Sequence, residues 1–127
     1  DVPRRMARPD GASRVNDNNL LALAAKASGR RISNRTTDGG LMVCIDERRA
    51  PHKWNPLADD GDAFRLQVKL ELIVGVHYDC SQPLPWLRVE DRLGNWTYAM
   101  TDEYGADPYA ATRRAIVQAA AKLGATL

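Results

Sequence analysis

The chain has 127 residues, of which 44% are hydrophobic and 27% are charged. These values fit one globular domain with a buried core and exclude a wholly disordered chain. The formal charge is +2, and residues 1–16, with four Arg and two Asp, account for that excess. The remaining 14 basic and 14 acidic side chains are balanced, which argues against a dedicated nucleic-acid-binding domain.

Residues 1–16 are predicted to form a disordered basic tail, because they contain two prolines and a glycine but no apolar periodicity. No stretch approaches the ~20 apolar residues of a membrane span, and no apolar signal-peptide core follows the arginines. We therefore expect a cytoplasmic protein with one folded domain at residues 17–127. The first helix is expected to begin near Asp17 and to end at Ser28-Gly29, since leucines and alanines recur between them at helical spacing.

A hairpin is predicted next, with a polar edge strand at residues 32–36, a glycine-containing turn at 37–40 and an apolar strand at 41–46. Residues 47–58 are predicted to be a loop, because two prolines interrupt strand pairing there. The second helix is expected to start in Asp59-Asp60-Gly61-Asp62, whose carboxylates can accept hydrogen bonds from free backbone N–H groups.

A buried strand is predicted at residues 72–78, and a second hairpin at residues 86–91 and 96–100. The last helix begins at Asp107-Pro108, is rich in alanine and ends at Gly124. The order αββαβββα predicts an α+β fold. Specifically, we expect a three-layer α/β/α sandwich in which three helices cover a mostly antiparallel sheet of about five strands.

Two stretches are similar to a known family. The first runs from Trp54-Asn55-Pro56-Leu57 through Asp59-Asp60-Gly61-Asp62-Ala63 to Val68-Lys69-Leu70, and the second covers residues 107–121. With the leucine-rich first helix, they resemble the phage ABA sandwich domain over about residues 17–124. The resemblance implies an α/β/α sandwich and a phage or prophage origin, with no activity or catalytic residue to carry over. Residues 1–16 and 30–51 depart from the family pattern.

Three groups of side chains could carry chemistry. Asp59, Asp60 and Asp62 could attract a hard cation, but they lack the spacing of a calcium loop, so helix capping is the favoured interpretation. His52 and His77 lack the spacing of metal-binding histidine pairs. A thiol–imidazole pair of His77 and Cys80 is disfavoured, because residues three apart on a strand point to opposite faces.

Neither phosphate-binding glycine motifs nor a nucleophile elbow occurs in the sequence. Cys44 and Cys80 are expected to stay reduced, with Cys44 in a buried strand. We therefore predict a protein that is not an enzyme, with no catalytic, cofactor-binding or metal-binding residues.

Binding residues are harder to assign. Arg113 and Arg114 could form a basic patch with Arg65 or Lys69, although ion pairs within the fold are the favoured interpretation. A second set could stack nucleic-acid bases or anchor a protein interface, but is expected mainly to cover the core of the sheet: Trp86, Trp96 and Tyr98.

The leading functional prediction is a phage-encoded accessory protein that binds a host or phage protein. The alternative is nucleic-acid binding through the basic tail and the arginine-bearing last helix.

Overall fold

The computed structural model describes residues 10–44, 50–78, 85–99 and 101–127. Within these ranges the chain has an α+β fold, with four helices and six strands arranged in two three-stranded sheets. The predicted tail up to residue 9, the end of the predicted strand at residues 45–46 and Cys80 lie outside the described ranges.

The four helices are α1 (Asp10–Ala27), α2 (Asp60–Lys69), α3 (Thr101–Ala106) and α4 (Pro108–Ala125). The predicted start of α1 near Asp17 is too late, since the helix includes residues 10–16. The short α3 is the element that raises the helix count above the predicted three, and its Tyr104 packs against the hydrophobic core. None of the helices in the described ranges is long and apolar enough to cross a membrane.

Both predicted helix caps are confirmed. The Asp59 carboxylate accepts a hydrogen bond from the Asp62 backbone N–H at 2.8 Å, at the start of α2. The Asp107 carboxylate accepts one from the Ala110 N–H at 3.1 Å, and Pro108 follows at the first helical position. Each aspartate satisfies a backbone donor that the helix itself leaves free.

Sheet 1 contains β1 (Arg31–Arg35), β2 (Leu41–Cys44) and β3 (His52–Trp54), with β2 in the centre and antiparallel pairing throughout. All residues of β1 are exposed, which confirms the predicted edge strand. The prediction that residues 47–58 form only a loop is wrong, because β3 pairs with β2. The two prolines at positions 51 and 56 flank these three residues without interrupting them, so the pairing is possible.

Sheet 2 contains β4 (Ile73–His77), β5 (Trp86–Glu90) and β6 (Trp96–Ala99), in the order β4-β5-β6 and again antiparallel. The prediction that residues 72–78 form a buried strand is wrong, because β4 lies at the edge of this sheet and none of its residues is buried. The tight turn between β5 and β6 is held by Asp91, whose carboxylate accepts hydrogen bonds from the backbone N–H groups of Leu93 and Asn95. The predicted hairpin is confirmed, and its register places alternate residues of the two strands on the same face.

The core lies among the helices and both sheets, and Leu41, Val43 and Trp54 of sheet 1 belong to it. On the inner face of sheet 2, Leu87, Val89 and Ala99 are buried against α4, which also packs along α1 and α2. The approach of α1 and α4 is close at Gly124, where an added Cβ atom would lie 2.0 Å from the Leu23 carbonyl oxygen. Gly124 therefore permits helix packing. It does not end the helix as predicted, since α4 continues to Ala125.

The predicted three-layer arrangement is not what the described residues form. The strands belong to two sheets, and on sheet 2 the helices lie against the inner face. On β6, Thr97 and Ala99 are buried, whereas Trp96 and Tyr98 are 41% and 44% exposed. The helices cover only one face of sheet 2 because buried and less buried residues alternate along β5. Leu87 and Val89 face the core, and the bulky and charged side chains between them lie on the other side.

Candidate functional site

The outer face of sheet 2 carries a contiguous group of aromatic and charged side chains. Strand pairing places His77 opposite Trp86, and Arg88 opposite Tyr98, on the same side of the sheet. Trp96 is two residues before Tyr98 and shares that side. We call this group the aromatic face, and it consists of His77, Trp86, Arg88, Trp96 and Tyr98.

The rings of the aromatic face contact one another in a chain. The His77 ring stacks on Trp86, with centroids 4.6 Å apart and planes at 21°. Trp86 meets Tyr98 at 5.5 Å, and Tyr98 meets Trp96 at 6.3 Å, both in tilted geometry. The Arg88 guanidinium carbon lies 3.4 Å from the centroid of the Trp96 ring. These contacts order the side chains before any ligand binds.

Gly75 lies beside the His77 ring of the aromatic face. It pairs with Arg88 and shares the outer side with His77, two residues further along β4. An added Cβ atom would be 3.3 Å from the His77 Nε2 atom, so the absence of a side chain leaves room for the imidazole. An alanine at this position would require the His77 ring to move by a few tenths of an ångström.

The charge of this side of the sheet is balanced. Glu90 pairs with Trp96 and Ile73, and therefore lies on the same side as the Arg88 guanidinium. Among the described residues of this side, the Arg88 guanidinium and the Glu90 carboxylate offset each other, and a balanced charge does not favour a phosphate backbone.

An apolar groove adjoins the aromatic face at the edge of β6. It has a volume of about 550 Å³ and lies between β6 and the helices α1 and α4. Trp96 and Tyr98 belong to both surfaces, and the helices contribute Leu20, Leu23 and Ala121 to the groove. Lys122 stands at the same place, and its Nζ atom donates a hydrogen bond to the Trp96 carbonyl oxygen at 3.0 Å.

A polar recess of about 610 Å³ lies elsewhere, beside the β1–β2 turn. Its Asp38 carboxylate accepts hydrogen bonds from the Thr36 hydroxyl and the Gly40 N–H. These bonds lower the pKa of Asp38, the Thr36 hydroxyl most strongly. A carboxylate with a lowered pKa is a weaker base at neutral pH, so Asp38 is better suited to hold the turn than to accept a proton from a substrate.

The predicted capping role of the aspartate run is confirmed, and its members have further partners. Asp62 accepts from the Asn55 N–H at 2.9 Å and from Arg65 at 2.8 Å. Asp60 forms an ion pair with Arg113 at 2.7 Å. Each of the three carboxylates is therefore used in organising α2 and its contacts.

The favoured interpretation of the α4 arginines is also confirmed. Arg113 donates to the Leu57 carbonyl at 2.9 Å, in addition to its ion pair with Asp60. Arg114 pairs with Asp17 of α1 at 2.9 Å. These arginines join α4 to neighbouring elements through ion pairs, which weakens the nucleic-acid alternative.

The structure separates the remaining predicted residues. His52 is exposed on β3, whereas His77 belongs to the aromatic face. Cys44 is a free, half-buried thiol on β2. Cys80, the disfavoured thiol partner of His77, is outside the described ranges, and the His77 imidazole stacks on Trp86.

The expectation that the hairpin aromatics mainly cover the core is wrong. Trp86, Trp96 and Tyr98 face outward, because the aliphatic residues of the same hairpin occupy the inner side. A signal was present in the sequence, since Trp86 alternates with Leu87 and Val89 and the short turn sets the register with β6. The sequence does not predict that His77 and Gly75 belong to this face. They lie on β4, which is not part of the β5–β6 hairpin, so the short turn does not set their register.

Comparison with known proteins found no family model, curated protein or solved structure that matches this chain. The resemblance to the phage ABA sandwich domain therefore stays a prediction.

Proposed function

We propose that this chain is a non-enzymatic protein-binding module and that the aromatic face is its main contact surface. The observation that carries the proposal is the exposure of Trp96 and Tyr98 beside the half-buried Arg88 on one sheet face. These three residue types dominate the energetic centres of protein interfaces. Monomeric proteins have little physical reason to leave such a group in water.

The order within the aromatic face favours binding by a protein partner. Binding normally costs entropy, because mobile side chains must be fixed when the complex forms. Here the rings and the guanidinium already contact one another, so less conformational freedom is lost. Truncating an energetic centre of this kind typically weakens a complex by ~2 kcal/mol, or roughly 30-fold.

Nucleic acid is the second candidate, because aromatic rings on a sheet can stack bases. Two features count against it. His77 and Arg88 already cover faces of Trp86 and Trp96 that a base would need, and the charge of the outer side is balanced. A phage or prophage origin, as the resemblance implies, would make the partner a host or phage protein in the bacterial cytoplasm.

The experiment compares capture from nuclease-treated bacterial lysate by the natural chain and by two matched variants. Tyr98→Ser removes an exposed ring from the aromatic face. Phe64→Ser removes a ring that is 63% exposed on α2, which packs against α4. The variants must first show the circular dichroism and melting temperature of a folded protein.

A partner that is retained by the natural chain and by Phe64→Ser, but lost by Tyr98→Ser, supports the proposal. Equal retention by all three proteins contradicts it. Labelled 20-nucleotide single strands provide the test of the alternative. Binding that falls steeply with salt and disappears in Tyr98→Ser would favour nucleic acid over a protein partner.

A further inference from the structure

We infer that the partner binds as an extended strand added to the free edge of β6, with side chains on both the aromatic face and the apolar groove. This inference rests on the proposed function and specifies the kind of partner. It combines the position of β6 in the sheet with the surfaces on its two sides.

The edge of β6 presents backbone groups that sheet 2 does not use. At the hairpin turn the Asp91 N–H donates to the Asn95 carbonyl at 3.0 Å. Because antiparallel pairs alternate, the backbone groups of Thr97 point toward β5, and those of Trp96 and Tyr98 point away from it. β6 is the terminal strand, so no strand of the described residues pairs with those outward groups.

Apolar surface lies on both sides of this edge. An added strand points successive side chains to opposite faces of the sheet. One set would rest beside Trp96 and Tyr98 on the aromatic face. The other set would enter the groove beneath β6, against Leu20, Leu23 and Ala121. The edge and the groove therefore match the two requirements of strand addition, namely free backbone groups and space for alternate side chains.

An extended segment fits better than a helix. A bound helix satisfies its own backbone groups and would cover the outward N–H and C=O groups of Tyr98 without pairing them. Burying unpaired backbone groups is unfavourable, whereas a strand supplies a donor and an acceptor at this position.

Lys122 adds a chemical requirement for the partner. Its ammonium group donates to the Trp96 carbonyl and so covers one end of the edge. Lysine commonly protects sheet edges from unwanted pairing. An added strand would displace this bond, and an acidic residue in the partner would then neutralise the freed ammonium group. The expected ligand is a short extended segment with alternating apolar side chains and one Asp or Glu.

The first test selects ligands from a display library of random twelve-residue peptides against the full chain. We expect enriched peptides to alternate apolar and polar residues and to include an acidic position. Ala125→Glu, which places negative charge at the end of the groove, should weaken their binding at least fivefold, whereas the matched Ala125→Lys should not. Enrichment of helical spacing, or no enrichment at all, would overturn the inference.

The second test measures backbone pairing directly. Amide hydrogen exchange at Tyr98 should be fast in the free chain and at least tenfold slower with a selected peptide, while the Thr97 amide stays protected in both states. N-methylation of the peptide should reduce affinity about fivefold or more at alternate amides and have little effect at the others. Unchanged Tyr98 exchange, or equal effects at all amides, contradicts strand addition. Pairing of two copies of the chain through β6, detected as a dimer, would also overturn the inference.

Failure of this inference can be distinguished from failure of the proposed function. Trp86 lies on the central strand, away from the edge. If Trp86→Ser and Tyr98→Ser both abolish capture of the natural partner while no peptide pairs with β6, the aromatic face is a binding surface but strand addition is wrong. If neither variant alters capture, the proposed function itself is wrong.

Discussion

The contact between α1 and α4 gives the sharpest test of the fold, through the substitution Gly124→Ala. An ideal Cβ atom at this position lies 2.0 Å from the Leu23 carbonyl oxygen and 2.8 Å from its carbonyl carbon. Non-bonded carbon and oxygen atoms normally stay about 3.3 Å apart, so the helices must separate by roughly 1 Å or more. The obstacle is backbone, so rotation of a side chain cannot relieve it.

The expected change in the free energy of unfolding is the balance of two opposing effects of Gly124→Ala. Alanine in place of glycine raises helix stability by about 1 kcal/mol. Overpacking a close contact costs about 1–3 kcal/mol, and a rigid backbone obstacle favours the upper end. We therefore expect a net loss of about 2 kcal/mol in the free energy of unfolding. For a chain of this size, that corresponds to a fall of about 8 °C in melting temperature.

The measurement is urea unfolding followed by circular dichroism, with the midpoint and slope compared between variants. Gly61→Ala on α2 is the matched control, because its added Cβ atom would meet side-chain atoms and not backbone, at 3.2 Å from the Arg65 guanidinium and from the Asp59 carboxylate that caps α2. The stability of that variant should differ from that of the natural chain by no more than about 1 kcal/mol. If Gly124→Ala is no less stable than Gly61→Ala, the close packing of α1 and α4 is refuted.

Three further predictions concern stability. Asp59→Ala removes the N-cap of α2 and should cost about 1 kcal/mol in urea unfolding, with no loss if the cap is unimportant. Leu66→Ala, at a fully buried site, should cost about 2–5 kcal/mol, whereas Phe64→Ala on the same helix should change stability by about 0.5 kcal/mol or less; similar losses would contradict the assigned burial. Because the pKa of Asp38 is lowered in the folded chain, its ionised carboxylate stabilises the fold fully above about pH 3.9, the pKa of an aspartate in the unfolded chain. This stabilisation is lost as the pH falls through the lower pKa of the folded chain. The difference in melting temperature between Asp38→Ala and the natural chain should therefore shrink in acid. A carboxyl pKa for Asp38 at or above 3.9, measured by nuclear magnetic resonance, would contradict this.

Much of the local structure was predictable because its causes are local. Asp59 and Asp107 each bond to a backbone N–H group three residues later, so the helix starts can be read from adjacent residues. The turn between β5 and β6 similarly depends on Asp91 and the residues that follow it. In contrast, β3 and α3 are too short to show a clear periodicity, and both depend on packing against other elements for their stability.

The candidate site was only partly predictable. The sequence places Trp86, Trp96 and Tyr98 in one group, since they belong to one hairpin. It does not show on which side of the sheet they lie, because an alternating strand shows which residues share a face but not which face the helices cover. The cation–π contact of Arg88 depends on the same register, and the stacking of His77 requires β4 to pair with β5.

By itself, the sequence determined the α+β class, the antiparallel hairpins and the starts of α2 and α4, since each depends on residues within a few positions of one another. Only the tertiary structure decided that the strands divide into two sheets and that sheet 2 leaves its aromatic face open. It also decided that Gly124 packs against Leu23 and that Arg114 pairs with Asp17, 97 residues away. These outcomes depend on contacts between residues that are distant in the chain, which local patterns of charge and hydrophobicity do not specify.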